Sequence, residues 1–444
     1  MATAGIKRHL SAAQVIILSF AGAILLGSLV LMLPFATRDG LGASFPDALF
    51  TAVSATCVTG LVVRDTATYW SGFGQAVLLI MIQVGGMGVV TMAVAIAVAS
   101  GKKISLMQRS TMQEAISAPK VGGIVQLTGF ILKLTALFEL LGAALLATAF
   151  VPQFGWSRGL WYSVFHAVSA FCNAGFDLMG VQEPFSSMTG FASQPVVNIA
   201  LALLITIGGI GFLTWEDIGT HRHHVRRYRM QTKVILAAGA ALLLLPAAYL
   251  FFFELGGRPF GERVWTALFQ SVTLRTAGFN TIDLTEISES GQAMMIVLML
   301  TGGAPGSTAG GMKTTTLVVL LATAIAVFRR KEDTQLFGRR LDDDIVRRAA
   351  TISTLYVALF LLGGCVISRA EGLPLLSCLF ETASAVGTVG ITLGLTPSLG
   401  MLSKVILMLL MFFGRVGGLT LIFAALAGYQ PGRSKLPQER LTVG

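Results

Sequence analysis

Apolar runs long enough to cross a lipid bilayer recur almost from one end of this chain to the other. They lie near residues 13–36, 72–100, 122–151, 194–216, 231–254, 291–329, 346–370 and 399–428. A hydrocarbon core of roughly 30 Å takes about 20 apolar residues as a helix. Each run therefore reads as one crossing, and the eight together as an all-α polytopic membrane protein. Composition agrees: 54% of residues are hydrophobic and 12% charged, about half the charged share of a soluble domain, which excludes a soluble enzyme. The first run is longer than a signal-peptide core and has no convincing cleavage site, so it is expected to stay as a permanent span. The four cysteines, Cys57, Cys172, Cys365 and Cys378, sit in apolar stretches without a CxxC pair. Neither a disulfide scaffold nor a structural zinc site is indicated.

The net charge of +10 could suggest nucleic acid, but its distribution argues otherwise. Basic residues gather in alternate connecting segments: Lys7 and Arg8; Lys102, Lys103, Arg109 and Lys120; Arg222, Arg226, Arg227, Arg229 and Lys233; Arg329, Arg330, Lys331, Arg339, Arg340, Arg347 and Arg348; and Arg433, Lys435 and Arg440. The intervening segments hold only Arg38, Arg64, Arg158, Arg258, Arg263, Arg275 and Arg369. This is the positive-inside pattern of a multi-pass protein with both termini cytoplasmic, in the plasma or inner membrane, and it leaves no call for a nucleic-acid partner.

Between the first and second, third and fourth, fifth and sixth, and seventh and eighth runs lies a shorter apolar segment, too short to cross. The four read FTAVSATCVTGL (Phe50 to Leu61), FHAVSAFCNAGF (Phe165 to Phe176), FQSVTLRTAGF (Phe269 to Phe279) and FETASAVGTVGI (Phe380 to Ile391), one motif written four times. A second signature follows each: VGGMG (Val84 to Gly88), IGGIG (Ile207 to Gly211), TGGAPG (Thr301 to Gly306) and FGRVG (Phe413 to Gly417). Internal repeats at such spacing predict four helix, pore-loop, helix units with pseudo-fourfold symmetry around one pore. Their expected limits are residues 1–110, 111–225, 226–340 and 341–430, followed by a short cytoplasmic C-terminus, 431–444.

Irregular backbone survives at membrane depth only where it is buried in protein or lines water. Four glycine-ended loops about one axis therefore predict a pore. Their carbonyl oxygens can replace the water shell of a monovalent cation, with the negative ends of the short helix dipoles facing it. Glycine suits the turn because it alone takes either hand of backbone. The predicted selectivity filter comprises Val58, Thr59 and Gly60; Asn173, Ala174 and Gly175; Thr276, Ala277 and Gly278; and Thr388, Val389 and Gly390. The glycines form the only fully fourfold layer, so fewer ion sites are expected than in a filter of four identical loops. For Gly85, Gly86, Gly208 and Gly209, close helix packing is the plainer reading. No carboxylate occupies the glycine layer, which argues against divalent selectivity. Asp65, Asp177 and Asp283 lie just beyond it, either gathering cations at the outer mouth or serving as ordinary loop residues.

The sixth run is interrupted by LTGGAPGSTAGGMKTTT (residues 300 to 316). A continuous helix does not survive that composition at roughly 1 kcal/mol per glycine and 3 for proline. An intramembrane loop over 302–313, carrying Gly302, Gly303, Gly306, Ser307, Thr308, Gly310, Gly311 and Lys313, is the expected gate below the filter. A phosphate cradle is excluded, because Met312 separates Gly311 from Lys313 and no strand precedes it. Aligning the second signature places Arg415 where the other copies carry Gly86, Gly209 and Gly303. An arginine deep in a span is costly and functional by default, so Arg415 is expected beside the loop as an electrostatic barrier, the alternatives being a structural counter-charge or a snorkelling side chain. Lys133, Glu139 and Glu381 are further intramembrane charges that spacing does not pair. No HExxH, GxSxG or close acid pair points to an enzyme.

With TAGFNT (Thr276 to Thr281), SAFCNAGF (Ser169 to Phe176), the GGAPGSTAGG loop and the arginine of the last span in place, the chain resembles the Trk/Ktr/HKT superfamily of potassium translocators over about residues 13–428, most closely the bacterial Ktr membrane subunit. It lacks the extra N-terminal helix pair usual in Trk membrane subunits and ends soon after the last span. The resemblance implies a homodimer with one pore per protomer, K⁺ uptake often stimulated by Na⁺, and regulation by a cytosolic nucleotide-binding ring of the KtrA type. It also assigns K⁺ coordination to Gly60, Gly175, Gly278 and Gly390, and gating to the interrupted span with Arg415. Gly60 stands where some Na⁺-conducting relatives carry serine, which favours K⁺. No GxGxxG follows a strand here, so nucleotide belongs to the partner, docked at the basic loops around Arg222 to Lys233 and Arg329 to Arg348. No covalently bound cofactor is expected. The competing expectation is an alternating-access secondary transporter, whose repeats would be inverted in pairs.

Overall fold

The computed structural model describes residues 10–100, 104–116 and 123–425. The basic residues Lys7, Arg8, Lys102, Lys103, Lys120, Arg433, Lys435 and Arg440, and the segment 431–444, lie outside the described residues.

Helix α1 (Ala12–Leu31) starts at a capping box in which Ser11 and Gln14 exchange side-chain and backbone bonds, satisfying two otherwise unpaired amides. Ser44 caps α2 (Phe45–Thr56), a short α3 (Thr66–Tyr69) follows, and Ser71 caps α4 (Gly72–Met87). Then come α5 (Val89–Ala99) and α6 (Leu106–Ala115). The second passage runs through α7 (Ile124–Phe154), α8 (Trp156–Phe171), α9 (Pro195–Ile210) and α10 (Phe212–His221). The third has α11 (Met230–Tyr249), α12 (Phe260–Thr273), α13 (Glu289–Met299) and α14 (Thr314–Phe328). The fourth has α15 (Asp343–Glu371), α16 (Leu375–Gly387), α17 (Met401–Val416) and α18 (Gly418–Ala425). A two-stranded hairpin, β1 (Gln335–Leu336) and β2 (Arg339–Arg340), joins α14 to α15.

Among the described residues, four helices are uninterrupted and apolar enough to span a membrane: α1, α7, α11 with its π-helical extension to Glu254, and α15. Their outer faces expose large apolar residues such as Leu26, Leu140, Leu245 and Leu362, as lipid contact requires. Two bent pairs, α4 with α5 at 96° and α9 with α10 at 91°, are long and apolar enough only when their two helices are taken together. Here the structure corrects the sequence expectation, which interrupted only the sixth run. The second, fourth and eighth runs also break, at Gly88, Gly211 and Gly417, where φ is +87°, +96° and +91°. These are the final glycines of VGGMG, IGGIG and FGRVG. A left-handed residue ends a helix because its carbonyl no longer points along the axis.

The short helices α2, α8, α12 and α16 begin before the segments recognised in sequence. Each is anchored by the motif phenylalanine: Phe50, Phe165, Phe269 and Phe380 are all at most 1% exposed. Helix α6 was not anticipated. It is a polar helix closed by its own capping box, Ser105 with Gln108, and it ends at Ile116, whose carbonyl lies under Gly306 of the intramembrane loop.

Candidate functional site

The four short helices end in loops of one backbone shape. In each, the residue two before the glycine and the glycine itself take positive φ: Val58 (55°) and Gly60 (94°), Asn173 (57°) and Gly175 (68°), Thr276 (72°) and Gly278 (90°), Thr388 (51°) and Gly390 (92°). Left-handed backbone at a β-branched residue is a strained conformation that persists only where its surroundings enforce it.

The four loops close on one another in sequence order. A Cβ built on Gly60 would lie 2.5 Å from the Ala174 carbonyl oxygen and 3.1 Å from the Gly175 Cα. One on Gly175 would meet the Ala277 oxygen at 2.7 Å and the Gly278 Cα at 2.8 Å. One on Gly278 would meet the Val389 oxygen at 2.6 Å, and one on Gly390 would collide with the Thr59 oxygen and stand 2.9 Å from the Gly60 Cα. Each glycine therefore faces the carbonyl that precedes the next glycine, and the fourth returns to the first. The result is a ring of main-chain oxygen with no room for a side chain.

Backbone bonds tie each loop to its helix. Thr59, Ala174, Ala277 and Val389 donate to the carbonyls of Ser54, Ser169, Thr273 and Ser384 at 2.8–2.9 Å. The Ser54 and Ser384 hydroxyls also accept the glycine amides of Gly60 (3.1 Å) and Gly390 (3.0 Å), whereas Ser169 donates to the Phe176 carbonyl at 2.7 Å. These serines escaped the sequence reading, although the recurrence of a hydroxyl four residues after each phenylalanine was a visible signal. Ser384→Ala leaves the Gly390 amide without that acceptor, at a cost of about 1–3 kcal/mol. Hydrogen exchange at the Gly390 amide is expected to speed by roughly ten-fold. The Asn173 carboxamide, oriented to donate to the Ala170 (3.0 Å) and Ile205 (3.2 Å) carbonyls, leaves its oxygen 3.3 Å from the Thr276 hydroxyl.

The 302–313 loop packs directly against the C-terminal ends of two short helices. The Thr308 hydroxyl donates to the Phe171 carbonyl at 2.8 Å. A Cβ on Gly310 would collide with the Thr388 side chain, and one on Gly311 would stand 2.7 Å from the Gly387 oxygen. On a third side the loop fills the break between α9 and α10: Ala304 donates to Gly209 (2.9 Å), Thr308 to Gly208 (3.2 Å), and Phe212 to Gly306 (2.8 Å). Its mouth is stapled by Gly302 donating to Met312 (2.7 Å), Thr314 to Gly303 (3.0 Å) and the Thr314 hydroxyl to Gly302 (2.7 Å). Ser307 donates to Ala304 at 2.7 Å. Lys313 donates back into the loop, to Ala309 at 2.8 Å and Gly310 at 3.3 Å.

Arg415 lies beside the loop. One guanidinium nitrogen donates to the Thr308 carbonyl, and the other to Gly85 (2.5 Å) and Gly86 (2.8 Å) at the break of α4. Gly311 donates to the neighbouring Gly414 carbonyl at 3.1 Å. The arginine thus bridges the loop to the first passage through neutral carbonyls, and no acidic residue among the described residues forms a salt bridge with it.

One charge sits elsewhere than the sequence suggested. Arg275, counted with the outer connecting segments, is inside the bundle at the end of α12, near the Gly239 carbonyl and the Thr314 hydroxyl. Glu139 stands 4.0 Å from the Cys172 sulfur. Of the acids beyond the ring, Asp65 caps α3 and accepts the Phe185 amide at 2.9 Å, Asp177 accepts the Met179 amide at 2.9 Å, and Asp283 binds Thr285. Their oxygens are engaged in shaping loops.

A bundle of apolar spans, broken at glycines and enclosing a ring of backbone carbonyls, defines a multi-pass membrane protein of the cation-transport class. The chain belongs to the TrkH family of cation transport proteins, whose pattern it matches over residues 13–431. It is 39% identical to the potassium/sodium uptake protein NtpJ of Enterococcus hirae, over 99% of this chain and 98% of that one. It is also 39% identical to the Ktr system potassium uptake protein B of Bacillus subtilis (93% and 92% covered) and 34% to that of Vibrio alginolyticus (97% and 94%). The crystal structure of the potassium transporter TrkH from Vibrio parahaemolyticus superposes with a TM-score of 0.72 at 20% identity, covering 95% of this chain and 86% of that one. It shares the fold. As a member of a transport family, this protein is a transporter and not an enzyme.

Proposed function

We propose that this chain is the membrane subunit of a Ktr-type potassium uptake system and passes K⁺ through the ring of Gly60, Gly175, Gly278 and Gly390. The observation that carries this reading is the closed order of contacts, each glycine against the carbonyl before the next. Carbonyls from four loops solvate a dehydrated alkali cation without placing a formal charge in its path. The hydroxyls of Thr59 and Thr388, buried without a protein partner, supply further oxygen beside the ring. The similarity to potassium uptake proteins over nearly full length supports K⁺ as the cargo, and in this reading Na⁺ acts as a stimulating ion.

In this reading four helix, pore-loop, helix units give eight crossings with both termini cytoplasmic. The 302–313 loop is the gate, closed by its bonds to α8, α9, α10 and α17 and latched by Arg415. The protein works as a homodimer under a cytosolic nucleotide-binding ring docked on the basic segments. Expression in cells lacking potassium uptake tests the function: growth at low K⁺ is expected, and stronger growth when a soluble Ktr regulator is co-expressed. Absence of rescue in both cases would overturn it.

A further inference from the structure

The residue immediately after each motif phenylalanine is polar in all four copies and differs in each: Thr51, His166, Gln270 and Glu381. All are buried, with at most 1% exposure. A polar group in so dry a setting is costly unless bonded, and a carboxylate most of all. In three of the four copies the bond goes to the same place, three residues past the loop glycine. His166 donates from Nδ1 to the Tyr162 carbonyl (2.6 Å), which leaves Nε2 to accept the Leu178 amide at 3.2 Å. Gln270 reaches the Thr281 hydroxyl at 3.4 Å. Glu381 accepts the Leu393 amide at 3.0 Å and the hydroxyls of Thr392 (2.5 Å) and Thr396 (2.6 Å). Thr51 is too short to cross: its hydroxyl returns to the Asp47 carbonyl of its own helix at 2.8 Å.

From this geometry we infer that His166, Gln270 and Glu381 are positioning residues, each bracing the strand that leaves the ring, and that the braces set how sharply the ring discriminates between alkali ions. None of them touches the ion. A carbonyl ring selects by size only if its walls resist closing on a smaller cation or yielding to a larger one, so strands pinned on their outer side raise selectivity. The braces are graded. Glu381 accepts three bonds from the strand and its continuation; His166 accepts one at 3.2 Å; Gln270 makes one contact at 3.4 Å; the first wall has none. The discrimination is therefore carried mainly by the fourth wall. The selectivity part rests on reading the ring as the filter, while the brace itself does not.

The full-length protein in nanodiscs tests both parts. Hydrogen exchange is followed in the segments 61–66, 176–181 and 391–396, and Rb⁺ uptake is measured against Na⁺ competition. Glu381→Leu is expected to speed exchange of 391–396 by about ten-fold or more and to lower Rb⁺ preference several-fold, leaving 61–66 unchanged. Glu381→Gln, which still offers an oxygen to the Leu393 amide, is expected to retain most of both. His166→Phe is expected to act likewise on 176–181, and Thr51→Val to change neither exchange nor preference. If Glu381→Leu does not accumulate, Thr396→Val removes one of the three bonds and is expected to give a smaller shift in the same segment. Unchanged exchange in 391–396 and 176–181 in the folded variants would overturn the brace. Faster exchange with unaltered ion preference would overturn its role in selectivity. If the unaltered protein carries no Rb⁺ or K⁺, the filter reading fails and the exchange result still decides the brace.

Discussion

Gly278→Ala is expected to reduce K⁺ uptake by roughly thirty-fold or more while leaving the protein in the membrane. Two costs add. At φ +90° a Cβ carries a left-handed penalty of about 1–2 kcal/mol. The same Cβ would stand 2.6 Å from the Val389 oxygen and 2.9 Å from the Gly175 Cα, and displacing well-packed neighbours costs about 1–3 kcal/mol more. The neighbour that must give way is backbone of the next loop, so the strain appears as a misplaced carbonyl in the ring itself. At 1.4 kcal/mol per decade, a total of about 2–5 kcal/mol from those two terms corresponds to at least that loss. Rb⁺ uptake kinetics with membrane abundance by immunoblot check it. Near-normal transport by Gly278→Ala would exclude the ring from the conduction path.

The second large effect concerns the latch proposed for Arg415. Arg415→Ala removes the donors to Thr308, Gly85 and Gly86, the side-chain link between the intramembrane loop and the break of α4. A hydrogen bond from a charged group contributes about 1.5–3 kcal/mol. Losing one such contribution from the closed state alone multiplies the open share by roughly 10- to 100-fold. Basal K⁺ flux without a regulator should rise accordingly. Arg415→Lys should fall between, since a single ammonium lacks the planar fork that spans carbonyls on two elements. Basal flux unchanged in Arg415→Ala would remove the latch.

Much of this arrangement was legible before any coordinates. A motif repeated four times with glycine at its end announces four equivalent backbone turns, because only glycine tolerates both the left-handed φ and a neighbour at contact distance. The GGAPGSTAGG segment announces a break for an equally local reason, the helix cost of glycine and proline. The breaks at Gly88, Gly211 and Gly417 were less visible: in each, one glycine among apolar residues differs little in composition from a packing glycine, and only the fold shows which hand it takes. Charges in the spans were harder still. Glu381 reads as an unpaired liability along the chain, yet its partners Thr392, Leu393 and Thr396 lie eleven to fifteen residues ahead, past the turn. Arg275 sits among the few basic residues of the outer segments by position alone, and only the course of α12 carries it inside.

By itself the sequence determined that this chain enters a membrane, that it repeats one loop design four times, and that Gly60, Gly175, Gly278 and Gly390 are the turning points. Those properties follow from hydropathy and glycine stereochemistry, which act on neighbouring residues. Only the tertiary structure decided that the ring closes in the order 60, 175, 278, 390, that Arg415 reaches both Thr308 and Gly85, and that Glu381 answers to the strand beyond its own loop. Such contacts depend on distances between segments up to 330 residues apart. No local propensity encodes those distances until the helices pack.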